Sequence, residues 1–106
     1  MSGYLFSVHS ARNHDRLAII PTGELDMSTA AELNDAIRAA EATDAKRIVI
    51  DLSEVTFMDS SGLKLLLEAS ARSQANSNRL RLIRGPRRVH RVFELTKTEE
   101  KLPFLD

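Results

Sequence analysis

The stretch KRIVIDLSEVTFMDSSGLKLLLEAS, Lys46 to Ser70, constrains the fold more than any other part of the chain. Ile48, Val49, Ile50 and Leu52 form a β-branched apolar run, the pattern of a strand covered on both faces, which predicts a central strand of a helix-wrapped sheet. Beyond it, Leu63, Leu65, Leu66, Leu67, Ala69, Ser70 and Ala71 make an apolar helical face broad enough to lie on that sheet, predicting a helix from Ser61 to about Gln74. The turn formers of SQANSN end it. Between strand and helix stands Asp59-Ser60-Ser61-Gly62, at a junction where side-chain oxygens cap free N–H groups and an anion finds a seat.

The flanking segments complete an alternating pattern. Tyr4–His9 and Leu17–Pro21 read as two strands joined through a longish ARNHD loop, and PTGELD breaks the second. Ser28–Ala42 places Ala31, Leu33, Ala36, Ile37 and Ala40 at roughly helical spacing, with Ser28 or Asp26 as start signal and Glu32 suited to the helix dipole. Leu80, Leu82 and Ile83 alternate with Arg79, Arg81 and Arg84, which predicts a strand with arginines on its exposed face. Gly85-Pro86 breaks it, and Pro86 suits the first turn of a helix through Val89, Val92, Phe93 and Leu95. The tail EEKLPFLD supplies a last short strand or covers the core with Leu102, Phe104 and Leu105. The order predicts a single α/β domain over residues 1–106, with a mixed four- or five-stranded sheet packed with three to four helices.

At 106 residues, 42% of them hydrophobic and 28% charged, the chain is sized for one domain that buries a core without staples. It contains no cysteine, which excludes thiol catalysis, disulfides and thiolate metal sites. The first residues show no basic region followed by an apolar core, and no apolar run approaches the ~20 residues that span a bilayer, so a cytoplasmic protein without membrane association is expected. Fifteen basic residues balance fifteen acidic ones, but unevenly. Glu24 to Glu54 holds eight acids against Arg38, Lys46 and Arg47, whereas Arg79 to Arg91 holds six arginines and no acid. Two differently charged solvated faces explain this; a bipolar docking surface is the sharper alternative.

Most chemistries fail on spacing. His9, His14 and His90 fall on a strand, a loop and a helix without a carboxylate pattern resembling a ligand set, so they read as surface residues and no metal is expected. Ser60 sits after a strand and before a helix as a nucleophile elbow does, yet MDSSG lacks the leading glycine of G-x-S-x-G, so no enzyme is expected. Neither G-x-G-x-x-G nor G-x-x-x-x-G-K-[ST] occurs, and no cofactor is expected. RLRLIRGPRR has the charge to touch phosphates but no aromatic to stack a base, which argues against a nucleic-acid partner. The helix-start hydroxyls remain. One N-cap is worth about 1 kcal/mol, and three consecutive capping-type residues are more than one cap requires. A phosphate added there is favoured by the helix dipole, so modification of a serine is compatible with folding.

GELD at Gly23–Asp26, the run RIVIDLSEVTFMDSSGLKLL and VHRVFEL together resemble the STAS domain, in particular the stand-alone anti-sigma factor antagonists of bacteria. The likeness runs from about Leu17 to Phe104. It implies a partner switch without catalytic activity. The unphosphorylated form binds an anti-sigma factor that is itself a serine kinase and frees the sigma factor; phosphorylation at Ser60 ends that binding until a PP2C-type phosphatase resets it. The resemblance places Asp26 near the modified serine and Asp59 directly before it. Ser61, Gly62 and Lys64 complete the expected partner-binding or supporting set, and a weak homodimer is compatible with it. A non-switching STAS scaffold or transporter accessory subunit, with Ser60 only a cap, is the alternative. Physics alone does not choose Ser60 over Ser61.

The chain departs from the family pattern twice. Lys64 stands where a glycine often follows SSGL, placing a long cation beside the modified serine. Thr96-Lys97-Thr98 replaces a T-G-L, which removes the glycine that most easily takes a left-handed helix cap.

Overall fold

A computed structural model describes residues 6–105; Tyr4, placed by the sequence pattern in the first strand, lies outside them. Strands β1 (Ser7–Asn13) and β2 (Arg16–Leu25) form an antiparallel hairpin in which Asn13 opposes Arg16. The expected long loop is therefore only His14-Asp15, with His14 in the left-handed region at φ 57°. Ala11, Arg12 and Asn13 are strand because they pair residue by residue with β2.

The second departure is that β2 runs on through the predicted break to Leu25. Its first half pairs in parallel with β3 (Arg47–Asp51), its second half with β4 (Val55–Met58), so two short strands share one edge of a long one. Pro21 fits because of this division. The Gly23 N–H donates to Glu54 O at 3.0 Å, so the Pro21 nitrogen, two residues earlier, points to the same edge. It falls in the gap between β3 and β4, where no ladder bond is forfeited. Gly23 takes φ 109° where the register shifts, a conformation that a side chain would strain.

Among the described residues six strands result, one more than the upper expectation, in the order β1-β2-β3-β5-β6 with β4 attached to β2; β5 is Leu80–Ile83 and β6 Phe104–Leu105. The extra strand is β4, separated from β3 by a turn in which the Asp51 carboxylate accepts the Ser53 N–H at 2.9 Å. All pairings except β1–β2 are parallel, and β3 is central, as its composition requires.

Among the described residues three α-helices cover the sheet: α1 (Ala30–Glu41), α2 (Ser60–Ala75) and α3 (Arg87–Leu95). One contiguous core joins Leu17, Ile19 and Leu25 of β2, Ile48 and Ile50 of β3, and Leu80 and Leu82 of β5 to Leu33 and Ile37 of α1, Leu66 and Ala69 of α2, and Val89 and Phe93 of α3. At about 1.5–3 kcal/mol per buried aliphatic or phenyl side chain, this cluster dominates the stability. The tail supplies the expected last strand, β6 pairing with β5, and Leu102 enters the core after a 3-10 turn (Glu99–Lys101) with Phe104 packed against it, but Leu105, also expected to cover the core, is 40% exposed.

Two polar assignments are corrected. Arg79 is not on an exposed strand face: its guanidinium donates to Glu41 O, an acceptor that the C-terminus of α1 leaves open, and to Thr43 O at 2.8 Å and Ala45 O in the segment that follows. Sequence alternation could not show a side chain turned back along a neighbouring helix end. His90 is not a surface residue but 5% exposed, stacked edge-on to Phe104 with ring centroids 4.9 Å apart. The end of α3 keeps a left-handed residue despite the absent glycine. Lys97 takes φ 58°, its N–H donates to Glu94 O and that of Thr98 to Phe93 O, a Schellman closure with lysine in the glycine place.

Candidate functional site

Leu25 and Met58 pair at the carboxyl ends of the parallel strands β2 and β4, and an aspartate follows each. Such ends are where parallel α/β sheets build their sites, because the chain there turns into helix N-termini and carries free N–H groups outward. Asp59 uses both carboxylate oxygens to join the two segments: Oδ1 accepts the Ser61 N–H at 2.8 Å and so caps α2, while Oδ2 accepts the Met27 N–H at 3.3 Å. The Asp59 N–H donates to Leu25 O at 3.2 Å, fastening the same junction through the backbone.

Asp26 shapes the approach to α1. Its Oδ1 accepts the Ser28 hydroxyl at 2.7 Å and the Ser28 N–H at 2.9 Å, with the Thr29 hydroxyl at 3.3 Å. These donors, the Ser28 hydroxyl foremost, hold the carboxyl below its ordinary value of 3.8 and keep it ionised. Thr29, not Ser28, is the residue before the helix; its hydroxyl donates to Glu24 O at 2.7 Å.

Ser60 is the first residue of α2, exposed, and its hydroxyl makes no hydrogen bond among the described residues. Ser61 is half-buried, and its backbone N–H is held by the Asp59 cap. The two hydroxyls that the sequence left equivalent differ in exposure: Ser60 is exposed, Ser61 half-buried. Lys64 is exposed one helical turn beyond Ser60, on the same side of the helix. Gly62 is buried, and a Cβ there would stand 2.7 Å from Met58 Cγ and 2.9 Å from Leu25 Cγ. It supports the site by letting α2 sit down on the ends of β2 and β4. Being covered, it offers no surface for a partner to approach.

The sequence pattern missed Met27, which is 83% exposed beside the Asp59 carboxylate. A large apolar residue between GELD and the first helix, outside the helical periodicity that begins at Ala31, was the available signal.

A second group of ionisable residues is formed by the fold and was not visible in spacing. His90, Glu94 and Glu99 bring potential ligand atoms within 4.8 Å of one another. There His90 Nε2 lies 2.6 Å and Arg84 Nη2 3.1 Å from Glu99 Oε2, so a guanidinium already occupies the place a cation would take. Arg84 also lies over the Phe104 ring, 5.9 Å from its centroid. With Arg84 paired to Glu99, the basic segment presents less net positive charge than its sequence suggests. No helix among the described residues is long and apolar enough to cross a membrane.

Comparison with known proteins agrees with this architecture. The sequence matches the family described as Mlab, STAS domain over residues 6–104. It is 32% identical over 85 residues to an anti-sigma-B factor antagonist of Listeria monocytogenes, covering 80% of this chain and 75% of that protein. Over 59 residues it is 42% identical to the anti-sigma-F factor antagonist RsfB of Mycobacterium tuberculosis, covering 55% of this chain and 48% of that protein. The crystal structure of an anti-sigma factor antagonist from Mycobacterium paratuberculosis superposes with a TM-score of 0.81 at 28% identity, covering 93% of this chain and 84% of that one. By sequence and by fold, with a capped serine at the joined ends of two parallel strands, the chain belongs to the STAS domain family.

Proposed function

We propose that this protein is an anti-sigma factor antagonist switched by phosphorylation of Ser60. The unmodified form binds a cytoplasmic anti-sigma factor with serine kinase activity and so releases a sigma factor; a PP2C-type phosphatase restores it after phosphorylation. The protein itself catalyses nothing, and residues 1–106 act as one unit.

The observation that carries this reading is an exposed Ser60 hydroxyl, without a hydrogen bond among the described residues, at the start of a helix capped by its neighbour. A phosphate there meets the positive end of the helix dipole, so the fold tolerates it. It also adds nearly two negative charges to a surface that already carries Asp26 and Asp59, and juxtaposed like charges at an interface cost several kcal/mol. At 1.4 kcal/mol per tenfold, that moves a complex from mostly bound to mostly free. Met27 gives the unmodified surface an apolar anchor, and Lys64 gives it a cation to meet an acid on the partner. The names of the Listeria and Mycobacterium relatives supply the partner class, an anti-sigma factor.

Incubation with the anti-sigma factor kinase and ATP, read by intact-mass and peptide mass spectrometry, adds one phosphate to Ser60, and Ser60→Ala abolishes it. Retention of the modification by Ser60→Ala, or its location on Ser61, would refute the assignment.

A further inference from the structure

At the end of the sheet opposite Ser60, a pocket of about 190 Å3 opens between the C-termini of α1 and α2. Its floor includes the edges of Ile48 and Leu80, paired at the amino ends of the parallel strands β3 and β5, with Ile37 of α1 beside them; all three are core residues at most 4% exposed. Arg38, Arg72, Arg79 and Glu41 line it, three cations against one acid. The Glu41 carboxylate meets Arg38 Nη1 at 3.2 Å and Arg72 Nε at 3.1 Å, spreading one negative charge over two guanidiniums. Arg79 spends its donors on backbone carbonyls, which satisfy its hydrogens and leave its full charge in place. Arg72 keeps a buried Nη2 with no hydrogen-bond partner among the described residues.

From this surplus of two positive charges over an apolar floor we infer a binding site for a small amphipathic anion: a phosphate monoester or carboxylate with a short apolar or aromatic body. The oxyanion meets the arginine rim, and the apolar end touches only the exposed edges of Ile37, Ile48 and Leu80. Guanidinium forks suit such oxyanions geometrically as well as by charge. The volume lies below the ~300 Å3 at which drug-sized ligands are accommodated, so the occupant is fragment-sized, with millimolar rather than nanomolar affinity. The site is independent of the Ser60 reading, since it lies at the other end of the strands.

The test is a methyl-resolved NMR titration of the full chain with phenyl phosphate, against phenol, benzylamine and inorganic phosphate as controls. Phenyl phosphate should shift the Ile37, Ile48 and Leu80 methyls saturably, with phenol and inorganic phosphate at least tenfold weaker and benzylamine without effect. Arg38→Glu, at a side chain 56% exposed, should weaken phenyl phosphate at least tenfold while the melting temperature holds. Ser60→Asp should leave the affinity unchanged. No saturable shift, an equal response to phenol, shifts centred on Ser60, or full affinity in Arg38→Glu would each overturn the proposal.

Discussion

Replacing Gly62 with alanine separates the two effects a glycine in a helix can have. On an exposed surface the change stabilises a helix by up to about 1 kcal/mol, because alanine gives up less conformational freedom on folding. Here the added methyl would stand 2.7 Å from Met58 Cγ and 2.9 Å from both Leu25 Cγ and Leu25 Cδ2, all inside van der Waals contact. Leu25 is 0% and Met58 5% exposed, and two of those atoms are branch or chain carbons rather than free side-chain ends. Relieving the clash means lifting α2 off the sheet or forcing a buried rotamer, at about 1–3 kcal/mol. The difference leaves Gly62→Ala destabilised by about 1 kcal/mol, which for a domain of this size is a fall of roughly 4–8 °C in melting temperature. Urea and thermal unfolding followed by circular dichroism measure it. A double-mutant cycle with Met58→Ala isolates the cause: removing the nearest side chain should make Gly62→Ala less costly, with a coupling of at least about 0.5 kcal/mol. A variant more stable than the parent, or strict additivity with Met58→Ala, would refute the packing account.

Arg79→Met strips the guanidinium from three carbonyls around the end of α1 and should destabilise by about 1–3 kcal/mol; Arg79→Lys should recover only part, lacking the planar fork. Unfolding midpoints equal to the parent would show those contacts to be idle. Asp26 makes a pH prediction. Its folded carboxyl is held below the ordinary 3.8, chiefly by the Ser28 hydroxyl, so its ionised form contributes stability at pH values above the ordinary one. That contribution disappears as pH falls through the lower folded value. The stability advantage of the parent over Asp26→Asn should therefore be constant near neutrality and shrink below about pH 4; an advantage unchanged in acid would contradict the assignment.

The sequence was most informative where one residue type answers one physical demand. The apolar run Ile48 to Leu52 has to be buried, and it became the central strand. Asp59 at a strand-to-helix junction has to cap, and it does so through Oδ1. The pattern was silent where the answer depends on a neighbour distant in sequence. Pro21 and Gly23 looked like breakers because the gap between β3 and β4 that accommodates them is set by the sheet order. Val55 to Met58 merged into the preceding apolar run because Leu52 and Val55 are both buried on either side of a two-residue turn. Arg79 and His90 carry polar groups whose partners come from other elements, so alternation and helical spacing placed them outside. At the candidate site, the fold brings Asp59 and the segment after Asp26 together, and burial distinguishes an exposed Ser60 from a half-buried Ser61.

The central claim is that one phosphate on Ser60 abolishes partner binding without disturbing the fold. Calorimetric titration of the anti-sigma factor with unmodified and stoichiometrically Ser60-phosphorylated protein, beside their melting curves, tests it directly. The account predicts an affinity reduced at least a hundredfold, about 2.7 kcal/mol, at closely similar melting temperatures. Equal affinities, or a phosphorylated form that loses binding only because it unfolds, would contradict it.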